Sequence, residues 1–277
     1  MRENRCIWLF IVTLLTIAIA SAQLPVAQNG KFVTVNGAKI YYEEYGQGDP
    51  LLLLHGFGQT LEDWQALIPE YSKHFRVIAW DMRGNGRSTN PDTSIVFPHS
   101  RVAKDLLAFM DSLHLNKVKV IGHSSGGMAI LYAASMSPER FDAIIPVSAQ
   151  MYYSDQLREF IEKFAKPRVP NPEAYRLHGK EKADLIGKQF YNFRKLYGDP
   201  ALTPDQLSKI TARTLVIQGD NDFVPVSQGW EIFQSIHNAH LWISPNTGHM
   251  PFGPGNEADF LNRTIAFLKG EWDKKPR

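Results

Sequence analysis

The sequence has little cysteine and little excess charge of either sign. One cysteine, Cys6, in 277 residues excludes a disulfide framework and a zinc site built from clustered cysteines. Lys and Arg number 30 and Asp and Glu number 28, a net charge of +2, so the basic face of a nucleic-acid-binding protein is not expected. Long polar tracts are also lacking, and 44% of the residues are hydrophobic. This composition predicts a globular protein rather than a disordered one.

The N-terminus carries an apolar run that is too short to cross a bilayer as a helix. Ile7–Ala20 has 14 residues, whereas a membrane-spanning helix needs roughly 20. Arg2 and Arg5 precede this run and the small residues 20–22 follow it, which is typical of a secretory signal peptide. We therefore predict a signal at residues 1–22, cleaved after Ala22, and a secreted or periplasmic mature protein without a stable membrane span. The alternative is an uncleaved membrane anchor.

Short apolar runs alternate with helical patterns along the rest of the chain. Asn36-Gly37 favours a tight turn and predicts a hairpin. The apolar positions of Val102–Leu115 repeat every three or four residues, as in a helix. Strands that alternate with helices predict an α/β protein with a mostly parallel sheet and helices on both faces. The predicted strands are Lys31–Val35, Lys39–Tyr45, Leu51–Leu54, Phe75–Trp80, Val118–Ile121, Ala143–Val147, Thr214–Ile217 and Leu241–Ile243.

The strand pattern lapses between residues 150 and 208. This stretch is rich in charged residues and aromatics, and it predicts short helices inserted between two strands. We expect a helical cap at 150–208 over a core domain formed by 23–149 and 209–277. The alternative is a helical excursion whose aromatics only anchor it to the surface. Its aromatics include Tyr152, Tyr153, Phe160, Phe164, Tyr175, Phe190, Tyr191, Phe193 and Tyr197.

Ser124 is the candidate nucleophile. It lies in Gly122-His123-Ser124-Ser125-Gly126, between a predicted strand and a helix-compatible segment. A serine held at a sharp strand-to-helix turn needs neighbours without bulk, and the flanking glycines meet that need. The alternative is a glycine-rich turn with a passive serine.

A second glycine-rich loop, His55-Gly56-Phe57-Gly58, follows a buried strand. Glycines on either side of Phe57 would let its backbone N–H approach a ligand. Together with the N–H of Ser125, it is predicted to form an oxyanion hole. His55 is interpreted as a structural histidine that shapes the loop.

These motifs resemble those of the α/β-hydrolase fold superfamily, and the resemblance extends over essentially the whole mature chain. Within that superfamily the sequence is similar to carboxylesterases with a short helical cap, including the pimeloyl-carrier-protein methyl ester esterases. The resemblance implies an eight-stranded sheet, a cap inserted after the sixth strand, and a catalytic triad in the order serine, acid, histidine. The segments that match are the loop at residues 55–58, the turn around Ser124, and residues 81–88, 219–222 and 247–249.

The acid and the base are assigned on that order and on their placement after strands. Asp220 and Asp222 both follow a buried strand, and the family pattern selects Asp222, with Asp220 expected to bond the turn. His249 follows the last predicted strand, and a histidine side chain is suited to take and return a proton near neutral pH. His99 is expected in a polar loop and His123 is expected to point away from the nucleophile.

The predicted reaction is acyl transfer to water without a metal or an organic cofactor. The substrate is expected to be a small-molecule ester with a small or medium-sized apolar part. The resemblance also leaves open a carbon–carbon bond hydrolase, a lactonase or amidase, a perhydrolase, and a ligand receptor without turnover. Dehalogenases and epoxide hydrolases of this fold use aspartate where Ser124 stands. The loop 81–88 is expected to be structural, with its Asp and Arg side chains paired to each other and to backbone.

Overall fold

A computed structural model describes residues 28–164, 172–196 and 198–273. Its eight strands are β1 (Gln28–Val35), β2 (Ala38–Tyr45), β3 (Pro50–Leu54), β4 (Arg76–Trp80), β5 (Val118–His123), β6 (Phe141–Val147), β7 (Arg213–Gly219) and β8 (Ala239–Ser244). They form one sheet in the order β1-β2-β4-β3-β5-β6-β7-β8. The β1–β2 and β2–β4 pairs are antiparallel and the others are parallel. The predicted α/β fold with a mostly parallel eight-stranded sheet is confirmed.

Helices cover both faces of the sheet. They are α1 (Ile68–Tyr71), α2 (His99–Ser112), α3 (Ser125–Met136), α4 (Asp155–Phe164), α5 (Pro172–His178), α6 (Lys180–Asn192), α7 (Pro204–Leu207), α8 (Val226–Ser235) and α9 (Glu257–Leu268). Short 3₁₀ turns lie at Leu61–Trp64, Pro138–Arg140, Phe193–Lys195 and Glu271–Asp273.

The central strand β3 explains why the sheet is buried on both sides. Successive strand residues point to opposite faces. Leu52 and Leu54 join the core beneath α2, α3 and α8, whereas Leu51 and Leu53 join the core beneath α1 and α9. All four leucines are fully buried. An unbroken apolar run therefore forms the centre of the sheet, and its carboxyl end leads directly into the loop at residues 55–58.

Helices α4 to α7 lie between β6 and β7, within the range predicted for a cap. An isolated antiparallel bridge between Tyr152 and Ala201 joins the two ends of this insertion. The division of the chain into a core domain and a cap stays a prediction. The predicted signal at residues 1–22 lies outside the described residues. In the part of the chain that the structure describes, no helix has both the length and the apolar character needed to cross a membrane.

The expectation that His99 lies in a polar loop is wrong. His99 is the first residue of α2 and is completely buried. Pro98 precedes the helix and Phe97 packs against the His99 ring, with ring centroids 5.4 Å apart. Position 99 is therefore the buried start of a helix rather than part of a loop.

Candidate active site

Ser124 occupies the sharp turn between β5 and α3. Its φ of 51° and ψ of −115° place it in a conformation that residues other than glycine rarely adopt. A Cβ at Gly122 would lie 2.5 Å from the carbonyl carbon of Gly126, and a Cβ at Gly126 would lie 2.6 Å from the carbonyl oxygen of Leu54. Only glycine fits at these two positions. The turn is therefore tight enough to project the Ser124 side chain above the carboxyl edge of the sheet.

The structure brings His249 and Asp222 to Ser124 from distant parts of the chain. His249 Nε2 lies 3.0 Å from Ser124 Oγ, and His249 Nδ1 lies 2.8 Å and 3.0 Å from the two carboxylate oxygens of Asp222. Because Nδ1–H donates to the carboxylate, Nε2 is left as the proton acceptor that faces the serine hydroxyl. The three side chains form one continuous path for a proton.

Asp222 is fully buried and accepts two further hydrogen bonds. Gln218 Nε2 donates to one oxygen at 2.8 Å and the backbone N–H of Val224 donates to the other at 2.9 Å. These two donors fix the orientation of the carboxylate toward His249. Gln218 was missed in the sequence analysis, although its position on β7, four residues before an acid at the strand end, could have indicated it.

Asp220 has a different environment. It accepts from the backbone N–H of Thr247 at 3.1 Å and from the Asn221 amide at 3.1 Å. It therefore ties the turn after β7 to the loop that carries His249, as expected for a structural turn residue.

Two backbone N–H groups are available beside the serine. Phe57 and Ser125 both line the cavity next to Ser124. Within residues 28–164, 172–196 and 198–273, neither of their backbone N–H groups donates a hydrogen bond to another group. Such free donors are what an oxyanion hole needs. Their assignment to that role stays a prediction.

Two buried histidines near the site, His55 and His123, are neutral and structural. His55 Nε2 accepts from the backbone N–H of Met82 at 2.8 Å, and its Nδ1–H donates to the Gly56 carbonyl at 2.7 Å. Burial lowers the pKa of His55 to about 4. This geometry agrees with the interpretation that His55 shapes the loop.

The expectation that His123 points away is wrong. Its ring packs against the ring of His249 with centroids 4.9 Å apart, and its Nε2–H donates to the His249 carbonyl at 2.8 Å. Burial first, and then the nearby His249, lower the pKa of His123 to about 3. The reason is that His123 is the last residue of β5 and its side chain faces the loop of residues 247–250. A neutral His123 therefore holds the backbone of His249 in place.

A cavity of about 270 Å³ opens beside Ser124, with walls from the insertion between β6 and β7 and from the rest of the fold. Leu157 and Ile161 of α4 and Phe190 of α6 contribute apolar side chains, and Phe223 lies against the His249 ring with centroids 4.2 Å apart. The lining is mainly apolar, with the polar side chains of Gln59, Gln150 and Tyr153 as additions. This cavity can accept a small or medium-sized organic molecule.

Five of the described aromatics of the insertion form two groups. Tyr153, Phe190 and Phe193 line the cavity. Tyr152 is 41% exposed and its hydroxyl donates to Glu231, and the Tyr191 ring lies under the Arg194 guanidinium. The expectation of a cap that covers the site therefore fits the first group, and surface anchoring fits the second. The side chains of Phe164 and Tyr197 lie outside the described residues.

The loop after β4 is a structural unit. Asp81 accepts from the backbone N–H groups of Leu61 and Arg87 and pairs with the Arg87 guanidinium at 3.2 Å, as expected. Arg83 pairs instead with Asp105 of α2, outside the loop. Among the described residues, no three His, Cys, Asp or Glu side chains are grouped in a way that could hold a metal ion.

Comparison with known proteins gives consistent similarities. A family model described as the alpha/beta hydrolase fold matches residues 49–174. The human serine hydrolase BPHL is 36% identical in an alignment of 234 positions that covers 78% of this chain and 79% of that protein. The 2-hydroxy-6-oxo-6-(2'-aminophenyl)hexa-2,4-dienoic acid hydrolase of Metapseudomonas resinovorans is 28% identical in an alignment of 269 positions that covers 88% of this chain and 92% of that protein. A crystal structure of a serine hydrolase involved in carbazole degradation matches with a TM-score of 0.72 and 28% identity, covering 87% of this chain and 98% of that one.

Proposed function

Because this chain belongs to the α/β-hydrolase fold family and is a hydrolase, we propose that it cleaves a neutral carboxylic ester through an acyl-enzyme on Ser124. The observation that carries the proposal is the continuous path from Ser124 Oγ through His249 to the buried Asp222, with spacings of 3.0 Å and 2.8 Å. The apolar cavity next to Ser124 would hold the organic part of the ester.

The proposed reaction has two half-reactions. His249 Nε2 takes the proton of Ser124 as Oγ attacks the ester carbonyl, and the backbone N–H groups of Phe57 and Ser125 bind the resulting oxyanion. The intermediate then expels the alcohol, which takes its proton from His249. Water attacks the acyl-enzyme in the same manner and releases the carboxylic acid and the free serine. Asp222 keeps the His249 ring oriented and stabilises its charged form throughout.

Cleavage of a carbon–carbon bond is the second candidate. It is favoured by the similarity to the Metapseudomonas dienoic acid hydrolase. The name of that relative describes an acid, and a carboxylate substrate needs a cationic partner when it is buried. None of the described residues that line the cavity is Lys or Arg. This charge distribution supports a neutral ester over a dienoic acid.

The test uses the purified chain with p-nitrophenyl esters of graded acyl length, together with lactone, amide, β-diketone and dienoic acid substrates. We expect hydrolysis of the esters and covalent labelling of Ser124 by a fluorophosphonate, located by peptide mass. The control is Ser124→Ala, which should keep the thermal unfolding midpoint and lose about 10⁴-fold or more in kcat. Labelling of Ser124 with diketone cleavage and no ester cleavage would replace the ester by the second candidate. No turnover at all, together with tight ligand-induced stabilisation, would indicate a receptor.

We propose further that residues 1–22 direct export and are removed. The support is the charged start, apolar middle and small-residue exit of this segment. Expression of the full chain, followed by mass measurement of the protein outside the cytoplasm, should give an N-terminus at Gln23. Full-length protein retained in the membrane fraction would favour the uncleaved anchor.

A further inference from the structure

One part of the cavity wall is polar and buried. Gln150 and Tyr153 line the cavity and are only 2% and 5% exposed. Gln150 follows β6, and Tyr153 lies three residues later, where the chain enters the cap. Neither Gln150 Oε1 nor the Tyr153 hydroxyl has a hydrogen-bond partner among the described residues. Buried polar atoms are nearly always paired, so two unpaired ones in the same cavity wall point to a ligand.

The neighbours of Tyr153 keep its hydroxyl available as a donor. The His99 ring lies 6.1 Å from the Tyr153 ring, and His99 Nδ1 is 3.6 Å from a carboxylate oxygen of Asp199. On its other side, His99 Nε2 is occupied by Ser125 Oγ at 2.9 Å. Burial first, and then the negative charge of Asp199, raise the pKa of Tyr153 well above its ordinary value. The phenol therefore stays protonated at all physiological pH values.

The donor and acceptor types define the ligand chemistry. The Tyr153 hydroxyl can donate to an oxygen, and Gln150 Oε1 can accept from an N–H or O–H group. A single ligand group that satisfies both must accept and donate. A carboxylate or an ammonium group is disfavoured, because none of the described residues that line the cavity is Lys, Arg, Asp or Glu. The two charges that act on Tyr153, those of Arg158 and Asp199, lie outside that lining and have opposite signs.

We propose that Gln150 and Tyr153 form a subsite for a neutral group on the substrate that both accepts and donates hydrogen bonds, such as a carboxamide or a hydroxyl. This inference rests on the proposed ester hydrolysis and narrows its substrate class. The substrate is an ester in which one arm ends in such a group. Tyr153 donates to the oxygen of this group, and the group donates to Gln150.

The first experiment compares pairs of esters that differ only at the end of one arm. Two series cover both arms: p-nitrophenyl esters with ω-carbamoyl or plain alkyl acyl chains, and acetates with ω-carbamoyl or plain alkyl alcohols. Chain lengths run from three to six carbons. We expect one length in one series at which the carbamoyl ester has a kcat/KM at least tenfold above that of its plain partner.

Variants assign that preference to the two residues. Tyr153→Phe and Gln150→Leu should each lower the ratio of carbamoyl to plain kcat/KM by about fivefold or more. Tyr152→Phe is the matched control, because Tyr152 is the neighbouring tyrosine, is exposed and bonds Glu231. It should leave the ratio unchanged. Ratios below two at every length in both series, or a preference that survives both Tyr153→Phe and Gln150→Leu, would overturn the subsite.

A binding measurement keeps the subsite testable if no ester is turned over. In a Ser124→Ala background, the dissociation constants of hexanamide and 2-heptanone are compared by calorimetry. These two molecules have the same shape, but only the amide can donate. Adding Gln150→Leu should weaken hexanamide at least fivefold more than 2-heptanone, because only the amide donates to Gln150. Adding Tyr153→Phe should weaken both molecules, because both carbonyl oxygens accept from the tyrosine hydroxyl. Equal weakening of both by Gln150→Leu, or no weakening of either by Tyr153→Phe, would refute the subsite. Absence of ester turnover together with the expected weakening would refute only the proposed reaction.

Discussion

Asp220 and Asp222 lie two residues apart, and their hydrogen-bond partners differ. Asp222 accepts from His249 Nδ1, Gln218 Nε2 and a backbone N–H, whereas Asp220 accepts from the backbone N–H of Thr247. An asparagine at 222 would present a donor to a ring nitrogen that is itself a donor, or would favour the wrong tautomer. Of the two carboxylates, only that of Asp222 therefore contacts the His249 ring directly.

We expect Asp222→Asn to lower kcat for p-nitrophenyl butyrate by about 10²–10⁴-fold, since the orientation and charge stabilisation of His249 are lost. Asp220→Asn should lower it less than tenfold, because the loop keeps its other contacts. Steady-state kinetics on both variants, with circular dichroism as the check on folding, measure the difference. A larger loss for Asp220→Asn would contradict the assignment of the acid.

At the residue scale, the carboxyl of Asp63 contributes to the free energy of unfolding in a way that depends on pH. Burial raises the pKa of its carboxyl to about 7, opposed in part by a hydrogen bond from the Gly56 backbone. Its Oδ2 has no partner among the described residues. Between the unfolded pKa near 4 and the folded pKa near 7, the folded state binds more protons than the unfolded state, so stability falls as the pH rises through this window.

We therefore expect the difference in the free energy of unfolding between Asp63→Asn and the native chain, measured with urea, to change from pH 5 to pH 8 in favour of the variant, since all other groups titrate equally in the two proteins. Asp63→Asn removes the titration of this carboxyl, so the stability of the variant relative to the native chain should increase by on the order of 2 kcal/mol between pH 5 and pH 8. Parallel curves for the two proteins would show that the carboxyl ionises normally in the fold.

At the scale of elements, helix α5 is held to the core through its last residue. His178 is buried, its Nδ1 accepts from the backbone N–H of Gly86 at 2.9 Å, and its Nε2–H donates to the Gly58 carbonyl at 3.0 Å. One neutral imidazole therefore joins the insertion both to the loop after β4 and to the loop that carries Phe57. Burial lowers the pKa of His178, which favours this neutral form.

His178→Ala should speed amide hydrogen exchange in residues 172–192 and should raise KM severalfold, while exchange in the central strands stays unchanged. The contribution of His178 is complete above the unfolded pKa near 6.5 and is lost as the pH falls below it. The difference in exchange between the native chain and the variant should therefore shrink toward pH 5. Lys180→Ala is the control, since Lys180 is exposed and pairs within the insertion with Asp184. Equal amide exchange in His178→Ala and in the native chain would show that His178 does not hold helix α5 to the two loops.

The elements that sequence reasoning predicted are those with a local physical signal. The apolar runs of β3 and β5 predict strands without any knowledge of the neighbouring strands. The glycines around Ser124 likewise predict the strand, turn and helix at that position. The positions of His99 and His178 had no such signal. Their partners Ser125 and Gly86 lie 26 and 92 residues away along the chain, so burial of a polar side chain there depends on how the insertion packs.

At the scale of the whole molecule, one buried ion pair joins three separate elements. Arg83, in the loop after β4, donates to both carboxylate oxygens of Asp105 in α2, at 2.7 Å and 2.8 Å. Asn36, in the turn between β1 and β2, donates to the same carboxylate and accepts from Arg83 through its carbonyl. The antiparallel edge of the sheet is thereby fastened to a helix that begins at His99, behind the candidate site.

Removal of one partner of this pair should be costly, because the other charge stays buried without compensation. We expect Arg83→Leu to lower the free energy of unfolding by about 3–5 kcal/mol, and Arg83→Leu with Asp105→Leu to recover much of that loss. The control is Arg101→Leu, which removes the exposed pair between Arg101, on the same helix as Asp105, and Asp92 in the loop before that helix, and should cost less than about 1 kcal/mol. Urea unfolding of the four proteins measures these differences. A double variant that is no more stable than Arg83→Leu would mean that lost packing, and not the unpaired carboxylate of Asp105, causes the destabilisation.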